Sequence, residues 1–448
     1  MSTISSKTVR NTPIFKPTIY EKKYAFETKV HKFDLVILGL VLFNLFFLRY
    51  VKVVYELWYL VDFFIILYTA TMLAKSKFKV TIGLYVAAVF SVTILMLNLG
   101  QFGYVRTFVD NVLMAYTPAT LIVFLIYMRK RYSFDALHEL ANTIRKVLNI
   151  YFFINTPIVY VQAITGTFLM GRFIAVNPLV FDHMTGFIGL SGVSVLNFLW
   201  IATLLFNLYH LTTHKSKITL LILVAQFLLM FQMSILNDNK MFALTVIPFI
   251  VTFFMIGLNR HGITIKSIFK ILLIAGFALL LYSATSSLDD ETGEVQDTNS
   301  LVEEFFTNKP TVHNERAYLN YLAFNKYNAD GLVIGLSNVM LHNQNIHKHL
   351  GVNSASLLMI QGGLVYFLSV CLLYTALVMR LFNERNFMKK LMLFLVTFGT
   401  MLVTSFATQL FRDHYLFICM MLIYLVLYLH SKKGAPEEAP MYHNPKNP

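Results

Sequence analysis

The sequence predicts an all-α membrane protein, a bundle of about twelve transmembrane helices with one large extracytoplasmic loop. Three observations support this fold class. The 448 residues are 57% hydrophobic and only 13% charged, with a mean hydropathy of +0.62, whereas a soluble chain carries roughly a quarter charged residues. The apolar residues form runs close to the ~20 residues that cross a hydrocarbon core. The basic residues fall between those runs in an alternating pattern.

Twelve apolar runs are predicted to span the membrane. No small-residue cleavage site follows the first run, which is therefore interpreted as a retained anchor and not as a signal peptide. The predicted spans are residues 33–51, 53–73, 79–98, 111–128, 147–166, 187–211, 218–236, 241–258, 267–285, 354–380, 391–409 and 414–431. The predicted organisation is a cytoplasmic segment 1–32, transmembrane helices 1–9 in 33–285, an extracytoplasmic loop 286–352, transmembrane helices 10–12 in 353–431, and a cytoplasmic tail 432–448.

The lysines and arginines test this number of helices, because one helix more or fewer would reverse every later loop. The segments predicted to be cytoplasmic hold 27 of the 37 basic side chains, and the alternate segments hold ten, four of them in the large loop. Such an excess marks the cytoplasmic loops of membrane proteins. The pattern predicts twelve helices with both termini in the cytoplasm. It also explains the net charge of +14, so no nucleic-acid partner is expected.

The predicted loop of residues 286–352 is far longer than the 2–8 residues usual between helices of a bundle. Ser287–Ser300 is acidic and rich in Ser and Thr, which is typical of mobile chain. Glu315–Tyr327 has apolar and aromatic residues at helical spacing. That spacing predicts a short amphipathic helix on the membrane surface or over a cavity. The two cysteines, Cys371 and Cys419, lie inside apolar runs and are expected to be small buried hydrophobes.

Motifs of enzymes that use nucleotides or metals are missing from the sequence. It has no Gly-rich phosphate loop with Lys-Ser/Thr, no dinucleotide fingerprint, no HExxH and no paired-aspartate DxD. ATP-driven and cytoplasmic nucleotide-sugar chemistry are therefore disfavoured. Neither a metal nor a cofactor is expected.

Lone basic side chains at the predicted extracytoplasmic ends of helices are candidate ligands for an anion. These residues lie in the segments where lysine and arginine are otherwise scarce. Cations with few acidic neighbours are suited to bind a diphosphate. They are Arg106, Arg172, Lys240 and Arg412, joined by Arg316 in the loop. The alternative for each is a snorkelling residue, or one paired with a nearby acid such as Asp182, Asp238 or Asp413.

Histidines of the loop and two acids in the second predicted helix are further candidates. An imidazole can take a proton from a sugar hydroxyl near neutral pH, although a solvated loop histidine is the alternative. The histidines are His342, His347 and His349. Glu56 and Asp62 are ionisable groups inside a membrane helix, but six residues place them about 240° apart. They are therefore not one carboxylate pair, and a packing role or a polar network stays open for Asp62.

Two stretches resemble the bacterial O-antigen polymerase and O-antigen ligase family. Arg316–Gly335 (RAYLNYLAFNKYNADGLVIG) is similar to the family's loop element of an arginine, an aromatic-rich helix and a Gly-rich exit. His349–Gly363 (HLGVNSASLLMIQGG) is similar to the end of that loop and the following helix. Asn237–Lys240 (NDNK) is a weaker match to a Ser-Arg pair, with Lys240 as the basic counterpart. These stretches cover about a quarter of the chain.

The resemblance implies a GT-C-like membrane transferase that acts on polyprenyl-diphosphate-linked glycans outside the plasma membrane. Ligases of the family carry His followed by Asn, Ser or Gln, then nine residues and Gly-x-x-Gly. Here Val352 and Asn353 stand in the place of the His pair, and Tyr366 replaces the last glycine. This departure favours a polymerase over a ligase and leaves His349, or else His347, as the substitute base.

The expected function is polymerisation of repeat units for a capsule, exopolysaccharide or O-antigen. The growing glycan would pass from undecaprenyl diphosphate to a lipid-linked repeat unit, with a flippase and a chain-length regulator as expected partners. The expected ligands of substrate and diphosphate are Arg172, Lys240, Arg316, Arg412 and Asn353. Two alternatives stay open: an O-antigen ligase, which uses a different acceptor, and a flippase or transporter of lipid-linked oligosaccharide.

Overall fold

The computed structural model of the protein describes residues 26–55, 57–76, 105–166, 168–169, 184–189, 192–236, 240–257, 354–407, 410–411 and 414–433. These ranges are almost entirely helical, and their single β contact is an isolated bridge between Glu27 and Tyr132. In chain order the helices are α1 (Lys32–Phe43), a π-helical turn (Asn44–Leu48), α2 (Arg49–Val54), α3 (Trp58–Ser76), α4 (Val105–Arg131), α5 (Phe134–Thr165), a 3₁₀ turn (Gly186–Ile188), α6 (Val193–Thr213), α7 (Lys217–Leu236), α8 (Lys240–Gly257), α9 (Ser354–Phe382), α10 (Phe387–Ala407) and α11 (His414–Lys432).

Seven helical segments in the described ranges are long and apolar enough to cross a membrane. They are the continuous segment Lys32–Lys52 and the helices α5, α6, α7, α9, α10 and α11. A shorter apolar stretch, Thr245–Gly257, lies in α8. The protein is therefore membrane-embedded and helical, as the composition predicts. The total of twelve spans and the GT-C-like arrangement depend partly on residues outside the described ranges and stay predictions.

Ten of the predicted spans coincide with helices, and the other two, 79–98 and 267–285, lie outside the described residues. The largest difference in boundaries is at the fifth span, predicted at 147–166, because α5 begins at Phe134. The side chain of Ser133 caps α5 by accepting a hydrogen bond from the Ala136 amide at 3.3 Å. The prediction placed the start of this helix too late because the first turns of α5 are apolar on one face only. Mean hydropathy detects chiefly the part of a helix that is apolar on all sides.

The centre of the bundle is α11, which packs against α4, α5, α6, α8 and α9. Every residue from His414 to Leu429 is buried. By contrast, α7 and α10 each present an exposed apolar side, including Leu221 at 72% exposure and Phe387 at 72%. A helix that is apolar all round belongs in the core of a bundle, and apolar exposed sides suit contact with lipid.

Helix ends meet in two groups, at opposite ends of the bundle. The first group is tied by basic side chains that donate to acceptors far away in the chain: Arg131 to Glu27 (3.0 Å), Arg129 to the carbonyls of Arg380 (3.1 Å) and Leu381 (2.9 Å), Lys389 to the carbonyl of Ile256 (2.9 Å), and Lys433 to the carbonyl of Thr212. These are segments that the charge pattern predicts to be cytoplasmic, so this end is named the inner face. The opposite end is named the outer face. Which face meets the cytoplasm stays a prediction.

Asp34 is a buried carboxylate at the inner face, where α1, α3 and α4 meet. Its exposure is 0%, and its carboxylate accepts hydrogen bonds from the hydroxyls of Tyr132 and Tyr127. Lys75 lies 3.6 Å and Arg131 3.7 Å from its oxygens. Burial, and then the hydrogen bond to Asp34, raise the pKa of Tyr132, so its hydroxyl stays a donor. A buried charge is tolerated only when it is paired in this way.

Candidate functional site

Most residues of the predicted site lie outside the described ranges. The backbones of Arg106 and Lys240 are described, near the start of α4 and at the first residue of α8, and both positions belong to the outer face. Their side chains are not among the described atoms. Outside the described ranges lie Glu56, Arg172, Asp182, Asp238, the loop with Arg316, His342, His347 and His349, Asn353, Arg412 and Asp413. The convergence of the predicted ligands therefore stays a prediction.

Arg49 is a buried cation at the outer face, 3% exposed. Its guanidinium Nη1 donates to the carbonyl oxygens of Ile188 and, at 3.3 Å, Gly189. The same guanidinium lies 5.8 Å from the ring centroid of Tyr415 in α11. Arg49 thus joins the end of the first transmembrane segment to the turn before α6 and to the start of α11.

The turn that binds Arg49 is positioned by polar side chains of α5. Asn155 accepts a hydrogen bond from the Phe187 amide (2.7 Å), and Gln162 accepts one from the Gly186 amide (2.8 Å). Gly186 has a φ of +67°, and a Cβ there would come within 2.1 Å of the Asn155 oxygen. Only glycine fits this position, because both the left-handed backbone and the close approach exclude a side chain.

A second cation, Lys52, lies near Arg49 in sequence and is paired with an acid. Its ammonium is 3.4 Å from a carboxylate oxygen of Asp62 in α3, and the two side chains are 16% and 38% exposed. The structure therefore gives Asp62 a pairing role at the outer face. This pairing agrees with the alternative in which Asp62 belongs to a polar network. Among the described residues, Asp62 has no carboxylate as its partner.

His414 is a buried imidazole at the first residue of α11, 7% exposed. Its Nε2 has no hydrogen-bond partner among the described residues. Its ring lies 3.9 Å from that of Tyr415, between centroids, and the Arg49 guanidinium lies 5.8 Å from the same tyrosine ring. Lys52 is three residues from Arg49 in α2. The described outer face therefore combines two cations and a histidine within one cluster.

The starts of α9 and α11 are linked beside this cluster. The Phe411 amide donates to the hydroxyl oxygen of Ser354 at 2.9 Å, and both residues are buried. In sequence, Ser354 directly follows Asn353, and Phe411 directly precedes Arg412. Ser354 and Phe411, the described sequence neighbours of the predicted ligands Asn353 and Arg412, are thus hydrogen-bonded to each other, although they are far apart in the chain.

Sequence reasoning did not single out Arg49, Lys52 or His414. Arg49 and Lys52 carry the signal that selected Arg412, a basic residue at the outer end of an apolar run, and could have been found with it. His414 carries no local signal, because its neighbours come from distant segments. Cys371 and Cys419 are buried, as predicted, and neither is part of a disulfide. No group of three His, Cys, Asp or Glu side chains within the described ranges is arranged to hold a metal ion.

Comparison with known proteins gives no match: no protein-family model, no curated protein and no solved structure matches this chain. The resemblance of its loop to the O-antigen polymerase and ligase family therefore stays a proposal.

Replacing Arg49 by alanine is expected to destabilise the protein by about 2–3 kcal/mol, because two buried carbonyls lose a charged donor. Thermal unfolding of the purified chain in mild detergent measures the effect. Lys52→Ala is the matched control: it removes the same charge from a partly exposed ion pair, and such pairs contribute about 1 kcal/mol or less. Equal losses in the two variants would contradict the structural role assigned to Arg49.

Proposed function

We propose that this protein is a metal-independent membrane glycosyltransferase that polymerises repeat units of a capsule, exopolysaccharide or O-antigen. It transfers a growing glycan from undecaprenyl diphosphate to a lipid-linked repeat unit on the outer face of a bacterial plasma membrane. The loop stretches that resemble the polymerase and ligase family support this proposal. So does the cluster of cations and helix ends at the outer face.

The observation that carries the proposal is the hydrogen bond between Phe411 and Ser354, which links the start of α9 to the residues before α11. In sequence, Arg412 directly follows Phe411 and Asn353 directly precedes Ser354. The bond between their sequence neighbours supports the proposal that these two predicted ligands belong to one site. This favours a shared anion-binding site at the outer end of the bundle.

The proposed reaction needs electrostatic stabilisation and one proton transfer. A bond forms between the anomeric carbon of the growing glycan and the acceptor hydroxyl oxygen, and the bond from that carbon to the diphosphate breaks. Arg172, Lys240, Arg316 and Arg412 hold the diphosphates and stabilise the charge that develops on the leaving group. His349, or else His347, takes the proton of the acceptor hydroxyl. The donor arrives activated on its lipid, which is why the proposal requires no nucleotide.

The test is an assay with the purified chain in proteoliposomes that contain lipid-linked repeat units. A polymerase gives a ladder of products that differ by one repeat unit. Transfer of glycan to a different acceptor would instead indicate a ligase. Movement of the lipid-linked oligosaccharide across the bilayer, without new glycosidic bonds, would indicate a flippase. Either of these two results, without a ladder, would contradict the proposal.

A further inference from the structure

A polar stripe runs along α5 near the inner face. It consists of His138, Asn142, Arg145 and Asn149, which are three or four residues apart and therefore share one side of the helix. All four are partly buried and face α6 and α7, through hydrogen bonds to those helices. No part of the proposed transferase reaction uses this stripe.

The stripe is fixed by side-chain amides from three helices. The Asn149 oxygen accepts from the Asn207 amide nitrogen (2.8 Å) and from the Gln226 amide nitrogen (2.8 Å). The Asn207 oxygen accepts from the Asn149 amide nitrogen (3.1 Å) and from Arg145 Nη1 (3.4 Å). Asn207 and Gln226 are fully buried. The amides thus form a rigid support, and Arg145 lies at its edge.

Arg145 has an uncompensated charge within the described part of the chain. No carboxylate there lies within ion-pair distance, its one hydrogen bond goes to a neutral amide, and its Nε is buried with no partner. The nearest acids on α5, Asp135 and Glu139, are exposed to solvent. A guanidinium offers five donors in a fork that matches phosphate oxygens. The site therefore suits an anion.

The depth of Arg145 corresponds to the lipid headgroups. Along α5 the exposed side chains are at first Asp135, Glu139, Thr143 and Lys146, and directly beyond them come Val147 at 37%, Ile150 at 61% and Ile154 at 52% exposure. This change marks the passage from water to hydrocarbon. Further basic side chains lie at the inner ends of the neighbouring helices: Lys215, Lys217 and Lys433.

We infer that the polar stripe binds the phosphate of an anionic phospholipid from the inner-face leaflet, with Arg145 as its main ligand. Basic pockets between transmembrane helices on the cytoplasmic side bind such headgroups. Phe153, one turn beyond Asn149 on the same side of α5, is 44% exposed and provides an apolar surface for an acyl chain. The cation of Arg145 and the apolar surface of Phe153 lie along the same side of α5. A phospholipid has both a phosphate and acyl chains, so this arrangement favours a lipid over free phosphate.

The test is a titration of the purified full chain in mild detergent, with bound lipid counted by native mass spectrometry. Dioleoylphosphatidylglycerol is expected to bind one saturable site more tightly than dioleoylphosphatidylcholine. Arg145→Gln is expected to weaken phosphatidylglycerol binding about fivefold, which corresponds to about 1 kcal/mol for one cation at the surface. Lys146→Gln is the matched control on the exposed side of α5, with an expected change below about twofold.

Arg145→Lys is a second variant, which keeps the positive charge beside the Asn207 amide but loses the guanidinium fork. It is expected to bind phosphatidylglycerol less tightly than the unchanged chain and more tightly than Arg145→Gln, and it tests Arg145 if Arg145→Gln does not fold. Equal affinity for the two lipids, or equal effects of Arg145→Gln and Lys146→Gln, would overturn the inference. Displacement of phosphatidylglycerol by millimolar inorganic phosphate would reassign the site to free phosphate.

Discussion

Replacing Arg316 by alanine is expected to abolish long polysaccharide chains, while single repeat units still reach the cell surface. Arg316 opens the loop stretch that resembles the polymerase family, and the proposed reaction gives it a diphosphate oxygen to stabilise. Removal of one donor to a developing negative charge in a water-excluded site costs roughly 10²–10³ in rate. Electrophoresis of surface polysaccharide from cells that carry the variant measures chain length, and an immunoblot measures the amount of protein.

Lys309→Ala is the control for Arg316→Ala, because it removes the same charge from the same predicted loop, outside the stretch with the resemblance. It is expected to leave chain length unchanged. If Arg316→Ala itself gives normal chain length at a normal protein level, Arg316 does not belong to the site. A loss of chains in both variants would instead point to a general effect of the loop's charge.

Replacing Asp34 by alanine is expected to destabilise the bundle by about 2–3 kcal/mol, the upper part of the range for buried polar groups that lose a charged hydrogen-bond partner. Asp34 is the shared acceptor for α3 and α4, so its loss leaves the charges of Lys75 and Arg131 without their buried anion. The hydroxyl of Tyr132 also loses its acceptor. Thermal unfolding of the purified chain in mild detergent measures this effect.

Two further variants test whether the expected loss of stability comes from the charge of Asp34 itself or from the removal of any acid near the inner face. Asp34→Asn keeps the size and a carbonyl acceptor for the tyrosines, so an intermediate loss is expected. Glu139→Ala removes an exposed acid from α5, and surface substitutions of this kind change stability by about 0.5 kcal/mol or less. If Asp34→Ala were as stable as Glu139→Ala, the buried carboxylate would not hold α1, α3 and α4 together.

The sequence by itself determined the class of protein and the location of most of its helices. Ten predicted spans coincide with helices because the length of an apolar run is a local property that the thickness of a membrane selects. Where the structure describes them, residues of the predicted cytoplasmic segments also lie together at one end of the bundle, for example Lys389 beside Ile256. The start of α5 at Phe134 was missed, because the first turns of that helix are apolar on one face only.

Only the tertiary structure decided which charged side chains share an environment. Arg49 binds carbonyls about 140 positions away in the chain, Asp34 binds tyrosines more than 90 positions away, and Arg145 rests on an amide of α6. Such contacts depend on the rotation and the packing of whole helices, which no local pattern specifies. For the same reason the sequence could indicate Arg412 and Asn353 as ligands, but only the structure shows that the residues next to them, Phe411 and Ser354, are hydrogen-bonded to each other.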